Sequence, residues 1–183
     1  MKTCHPYCFV LTAVVLVASA CSSGISVRTD FDPAANFSSY RTFAWMPLPQ
    51  NTDYRLNNDL VDGRIRSAIE NQLQAKGYQL GPVEGADFKV GYHAALEGKM
   101  DVRTINSYYG YGWEQWSTIS PQTYVDEYTE GTLVVDVVDA KSNELVWRGS
   151  GQGEVRERAD PDERTRRINN AIAKILAEFP PGG

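Results

Sequence analysis

The chain has 183 residues, 42% of them hydrophobic and 22% charged, which excludes a disordered or collagen-like polymer and fits a single domain of ordinary size. Lys and Arg total 18 against 23 Asp and Glu, a formal charge of −5. There is no excess of positive charge to neutralise a phosphate backbone, so nucleic acid is not an expected partner.

In chain order, residues 1–20 come first, with Lys2 as the one firm positive charge, an apolar run from Phe9 to Ala20, and the small residues Ala18, Ser19 and Ala20 before Cys21. This is the layout of a secretory signal peptide, and the run is shorter than the roughly 20 residues of a bilayer-spanning helix. The segment resembles a bacterial lipoprotein signal, which implies lipidation of Cys21 and residues 21–24 as a short tether. Plain secretion after the Ala18-Ser19-Ala20 triplet is the alternative. A lipidated chain is expected to face the periplasm from the outer membrane, because Ser22 rather than Asp follows the cysteine. Cys4 and Cys8 leave with the signal, so the exported 163 residues hold no intramolecular disulfide and depend on a core. A domain of that size buries roughly 70% of its unfolded-chain surface.

Ile25, Val27, Thr29 and Phe31 alternate with polar residues and predict a half-buried strand starting about 10 Å or less from Cys21. Asp32-Pro33 marks a turn, and Tyr40–Met46 predicts a second strand with Phe43 and Trp45 on one face. After a polar loop at 47–58, Val61, Ile65, Ile69 and Leu73 form the apolar stripe of a helix that Gly77 closes. Phe88 to Leu96 alternate in the clearest strand, with Met100–Ile105 as a further segment that can pair with it. Thr132–Val138 and Leu145–Gly149, joined through Ala140–Asn143, predict an antiparallel hairpin. Asp160-Pro161-Asp162-Glu163 then opens a helix with a cap, a first-turn proline and an acid three residues on. Ile168, Ala171, Ile172, Ile175, Leu176 and Phe179 supply its buried stripe. The sum is a single α+β domain over 25–183: a two-layer sandwich, with a mostly antiparallel sheet of about five strands and two amphipathic helices on one face.

Several blocks together carry a resemblance: Asp32-Pro33-Ala34, Phe37 to Trp45, Glu130 to Ala140, Leu145 to Gly149, and Ile175-Leu176 followed by Phe179-Pro180-Pro181. In order and spacing this pattern resembles the DUF4136 family of bacterial lipoproteins, over about Val27 to Pro181. The resemblance implies an exported, usually lipid-anchored domain and supplies no activity.

Four constellations bear on function. His93, the one histidine left after signal removal, predicts an exposed structural residue on the polar face of its strand, since a zinc site usually needs several His or Cys ligands. No metal or cofactor is expected. Asp126, Glu127 and Glu130 admit a carboxylate-based hydrolase acting on a stacked sugar, or a solvated acidic turn before a strand. If Val138 pairs with Leu145, a regular register sets Val135 opposite Arg148 and Asp136 opposite Trp147, leaving the two charges on opposite faces. A buried unpaired carboxylate is costly, so Asp136 is expected to be hydrogen-bonded or solvent-facing. Arg156 to Arg167 mixes five Arg with four acids, which predicts a solvated helix start rather than an anion site.

The densest feature is the stretch Tyr108, Tyr109, Tyr111, Trp113 and Trp116, five large rings spaced by Gly110 and Gly112. Such clusters mark contact surfaces when exposed, and the structural alternative is a self-packed lid over one end of the sheet. Three functions follow. One is a non-enzymatic lipoprotein touching an envelope protein or the lipid surface through these rings; the others are a glycan or small-ligand module stacking on them, and the carboxylate hydrolase.

Overall fold

The computed structural model describes residues 24–46, 58–105 and 122–182, with the backbone alone for 101–105 and 122–127. Its strands are β1 (Ser26–Phe31), β2 (Thr42–Trp45), β3 (Gln79–Leu80), β4 (Phe88–Ile105), β5 (Gln122–Asp139) and β6 (Leu145–Val155), and its helices are α1 (Asp59–Ala75) and α2 (Pro161–Leu176). One mixed sheet has the order β1-β6-β5-β4-β2-β3. The pairs β1–β6, β5–β6 and β4–β5 are antiparallel, whereas β2 runs parallel to both β3 and β4.

The α+β class holds, with six strands rather than about five. The additional strand is the two-residue β3, too short to show a period; burial of Tyr78 and the bond from Gln79 N–H to the Arg41 carbonyl (2.9 Å) place it beside β2. β4 is one continuous strand, since pairing with β5 carries it through Glu97-Gly98-Lys99, where the apolar alternation stops. The same pairing puts the backbone of Asp126, Glu127 and Glu130 inside β5, not in a turn before it.

Both helices start as their sequences require. The Asn58 side chain accepts the Val61 N–H (2.9 Å), and Asp160 accepts the Glu163 N–H (2.7 Å) ahead of Pro161. Gly77, at φ 93°, ends α1 in a conformation that glycine adopts without strain. Ile65, Ile69 and Leu73 of α1 and Ile172, Ile175 and Leu176 of α2 are buried against Phe43, Val90, Val135, Val137 and Trp147, which share one face of the sheet. Each such aliphatic side chain contributes about 1.5–3 kcal/mol by leaving water. Phe88 and Phe179 centre the aromatic end of this core, with ring centroids 5.8 Å apart; Tyr78 stands 5.2 Å from Phe88, and Trp147 stands 5.2 Å from Phe179.

Polar contacts fix the helices and strand ends. Tyr92 Oη donates to Asp62 Oδ1 (2.7 Å) and Trp45 Nε1 donates to Glu70 Oε1 (2.7 Å), so α1 is tied to β4 and β2. Asp87 Oδ2 accepts the backbone N–H groups of Arg41 and Thr42 (2.9 Å each) and the Thr42 hydroxyl (3.0 Å). The backbone donors of Thr42 and Arg41 hold its carboxyl below the usual carboxylate range. Asp139 accepts from Tyr40 Oη (2.8 Å) and from the Lys141 and Ser142 N–H groups, closing the β5–β6 turn.

Two stability predictions follow from these contacts. Because the folded-state pKa of Asp87 is depressed, its contribution is present above the ordinary carboxylate range and is lost as pH falls through the folded value. Asp87→Ala should therefore cost roughly 1–3 kcal/mol in urea unfolding at pH 7, and the gap to the unsubstituted protein should narrow at pH 3; an equal gap at both pH values would refute the assignment. On β6, a Cβ at Gly149 would collide with the Trp147 ring and lie 2.7 Å from Ile175 Cγ2, whereas one at Gly98 would meet nothing within 4 Å. Gly149→Ala should lower stability by roughly 1–3 kcal/mol while Gly98→Ala leaves the Tm nearly unchanged, as measured by thermal unfolding.

Candidate functional site

β6 runs to Val155, six residues beyond the Gly149 end expected for it, through Gly149-Ser150-Gly151-Gln152-Gly153. Glycine usually punctuates strands, and here it marks close approach. The three glycines face the helices, because Gly149 pairs with Val135, Gly151 with Leu133 and Gly153 with Gly131 on the core side of β5. Near Trp147 the space above them is filled, and Ile175 would lie 2.8 Å from a Cβ at Gly151. At Gly153 the cover is Ile25, whose Cγ1 would lie 3.2 Å from a Cβ there. A cavity of about 820 Å³ opens between the sheet and the first half of α2.

Its floor is Ala94, Leu96, Gly131, Leu133, Gly151 and Gly153, and its sides include Val61 and Ile65 of α1 and Ile168 and Ala171 of α2. Gly24 and Ile25 line one edge. Arg156, Arg164 and Arg167 stand in the wall with Glu154 and Glu157. These guanidinium groups are anchored: Arg164 donates to the carbonyls of Glu157 (3.2 Å) and Ala159 (3.3 Å), and Arg167 donates to that of Glu154 (2.5 Å). Arg156 and Glu163 form an ion pair at 3.2 Å. The mixed-charge stretch is thus a partly paired helix start, as its composition predicts, that also borders a cavity.

A second cluster occupies the opposite face of the sheet. Arg148 grips Asp136 with two hydrogen bonds, Nε to Oδ1 at 2.6 Å and a terminal nitrogen to Oδ2 at 2.7 Å. The expected register is corrected here. Val138 does pair with Leu145, but a bulge between Val137 and Val138 puts Trp147 opposite Val137 and Arg148 opposite Asp136. The charges therefore meet directly. Asp136 is buried and hydrogen-bonded, meeting the expectation that its charge be satisfied. His93 is half-exposed, with Nε2 3.5 Å from Asp136 Oδ2, so it has an ionic neighbour that its place in the sequence did not reveal. With both carboxylate oxygens engaged by Arg148, the cluster acts as a clamp between β5 and β6.

Of the acidic trio, Glu130 accepts from Gln152 Nε2 (2.9 Å) and lies 3.5 Å from Lys99 Nζ. The side chains of Asp126 and Glu127 lie outside the described residues, as do Cys21, Tyr108, Tyr109, Tyr111, Trp113 and Trp116. Among the described residues no group of three or more His, Cys, Asp or Glu could hold a metal ion, and no helix is long and apolar enough to cross a membrane. The cavity was missed from the sequence; the available signal was glycine at every second position of β6, together with Gly131 on its neighbour.

The Asp139 turn, the Trp147-Arg148-Gly149 strand and the Phe179-Pro180-Pro181 end all fall within the match to the family described as a domain of unknown function (DUF4136), which spans residues 27–181. The chain belongs to the DUF4136 family. No curated protein matches it. Among solved structures, this DUF4136 domain is similar to a PDZ domain protein from Parabacteroides distasonis, with a TM-score of 0.55 and 13% identity over 87% of this chain. The match takes in 37% of that protein's length, so the likeness is one of fold over part of a longer chain. It is also similar to the PelC dodecamer from Paraburkholderia phytofirmans, at 15% identity and a TM-score of 0.47, covering 84% of this chain and 95% of that one.

The clamp predicts a coupled energy. Arg148→Ala and Asp136→Ala should each cost about 1–3 kcal/mol, below the cost for a fully buried pair because Arg148 is half-exposed. The double variant should lose clearly less than the sum. Urea unfolding of the four proteins measures this, and strict additivity would show that the two groups do not interact.

Proposed function

We propose that this DUF4136 protein is a non-enzymatic component of the bacterial cell envelope, lipid-anchored through Cys21 and periplasm-facing from the outer membrane. In this reading it meets an envelope protein or the lipid surface through Tyr108, Tyr109, Tyr111, Trp113 and Trp116. The observation that carries the proposal is the unequal length of the strands. β6 leaves β5 at the Thr129–Val155 pair, while β4 and β5 continue alone from Lys99–Tyr128 to Ile105–Gln122. Six further steps at about 3.4 Å each take this two-stranded ribbon roughly 20 Å past the six-stranded sheet. The aromatic segment 106–121 begins and ends at the ribbon's last pair. A bare two-stranded ribbon is marginal in water on its own, so a ribbon of this length is best explained by what it carries. Glycine-spaced rings joined in sequence to the end of such a ribbon suit contact with a partner surface.

Protein lacking the lipid should show a blue shift of tryptophan emission on adding anionic vesicles or envelope extract. Trp113→Ala with Trp116→Ala should abolish that shift while Trp45 and Trp147 still emit. Failure of both additions to move the spectrum would refute the contact role.

A further inference from the structure

We propose that the cavity between β6 and α2 is a binding site for one aliphatic acyl chain, seated with its polar end at the arginine-lined wall. None of the described residues that line it belongs to the aromatic segment, and loss of binding there would leave the contact role intact.

Three observations select this ligand class. The volume, about 820 Å³, lies within the roughly 300–1,000 Å³ of small-molecule sites. The apolar side chains in its walls are aliphatic, including Ile25, Leu96, Leu133, Val155 and Ile168, which match a methylene chain rather than a ring that stacks. Arg164 is held at the wall by the Glu157 and Ala159 carbonyls, and Arg167 by the Glu154 carbonyl with Glu163 at 4.0 Å; a guanidinium carries five N–H donors, so some remain to meet a carboxylate or phosphate head.

Two sources supply this chemistry: a lipid or fatty acid from the surroundings, and the acyl group that lipidation would place on Cys21. Gly24 lines the cavity, and Cys21 precedes it by three residues, a reach of at most about 10 Å.

The test uses the full chain carrying Cys21→Ser, titrated with the fluorescent fatty acid cis-parinaric acid. One saturable site per chain is expected. Ala171→Phe and Ala94→Phe, which project rings into the cavity, should each weaken binding at least tenfold, while Ser150→Ala on the opposite face should leave it unchanged. Thermal unfolding checks that the filled variants fold. Should both fail to fold, hydrogen exchange on the Cys21→Ser chain decides instead: added acid should protect amides in 24–27 and 168–171. Exchange also separates the sources. Protection of those amides in the lipidated chain without added lipid would identify its own acyl group, and protection only on addition would identify an external lipid. The proposal is overturned if the Cys21→Ser chain shows no saturable binding, or if binding persists undiminished in a filled variant that melts like the parent.

Discussion

The helix-facing side of β6 is the constraint on which the other features depend. Trp147 is fully buried there, and its ring lies back over Gly149, where a methyl group could not fit. Ile175 sits down on Gly149 and Gly151 and brings the second half of α2 close to the sheet. Dispersion and burial both reward that approach, because a gap of even an ångström forfeits much of the contact energy. The glycine row continues to Gly153, where Ile25 takes over the cover, its Cγ1 3.2 Å from the place of a Cβ. The core closes on the glycines at Ile175, and the cavity opens farther along the same helix, beside Ile168 and Ala171.

The other face of the same strands solves a different problem. Arg148 and Asp136 would have been separated in a regular ladder. The bulge by Val146 shifts one strand by a residue, turns Trp147 inward opposite Val137 and sets Arg148 against the carboxylate. One irregularity thereby seats the largest core side chain and satisfies the buried charge. Around the other end of the sheet, Asp87 and Asp139 do comparable work with backbone donors, holding β2 to β4 and closing the turn between β5 and β6. They stabilise connections, whereas the aromatic cluster around Phe88 and Phe179 supplies the mass of the core.

Beyond the core, two parts of the molecule exceed what stability alone requires. The β4–β5 ribbon outruns the sheet, and the cavity leaves apolar wall unpacked. Both are reached from the periphery, one by the ribbon's far end and the other beside Gly24. A chain tethered through Cys21, as proposed, would hold its cavity near the bilayer while β4 and β5 extend past the sheet.

Local rules made the helices legible: Asn58 and Asp160 cap, Gly77 terminates, and the stripes from Val61 to Leu73 and from Ile168 to Leu176 repeat at helical spacing, while Phe179, expected in the second stripe, is buried just past the helix end. Alternation from Phe88 to Leu96 likewise determined a strand and its buried face. The family blocks, too, could be read from residues alone. What only tertiary structure decided was wherever the partner, rather than the residue, sets the conformation. β3 exists because β2 is there to pair with it, and Gly149 to Gly153 form a strand because β1 and β5 flank it. A one-residue bulge reversed the expected relation of Asp136 to Arg148, since strand register has a period of two and one extra residue changes every facing pair beyond it. The cavity belongs to the same class of fact. It is a relation between glycines on the sheet and side chains on a helix that begins several residues later, and no local pattern records the distance between them.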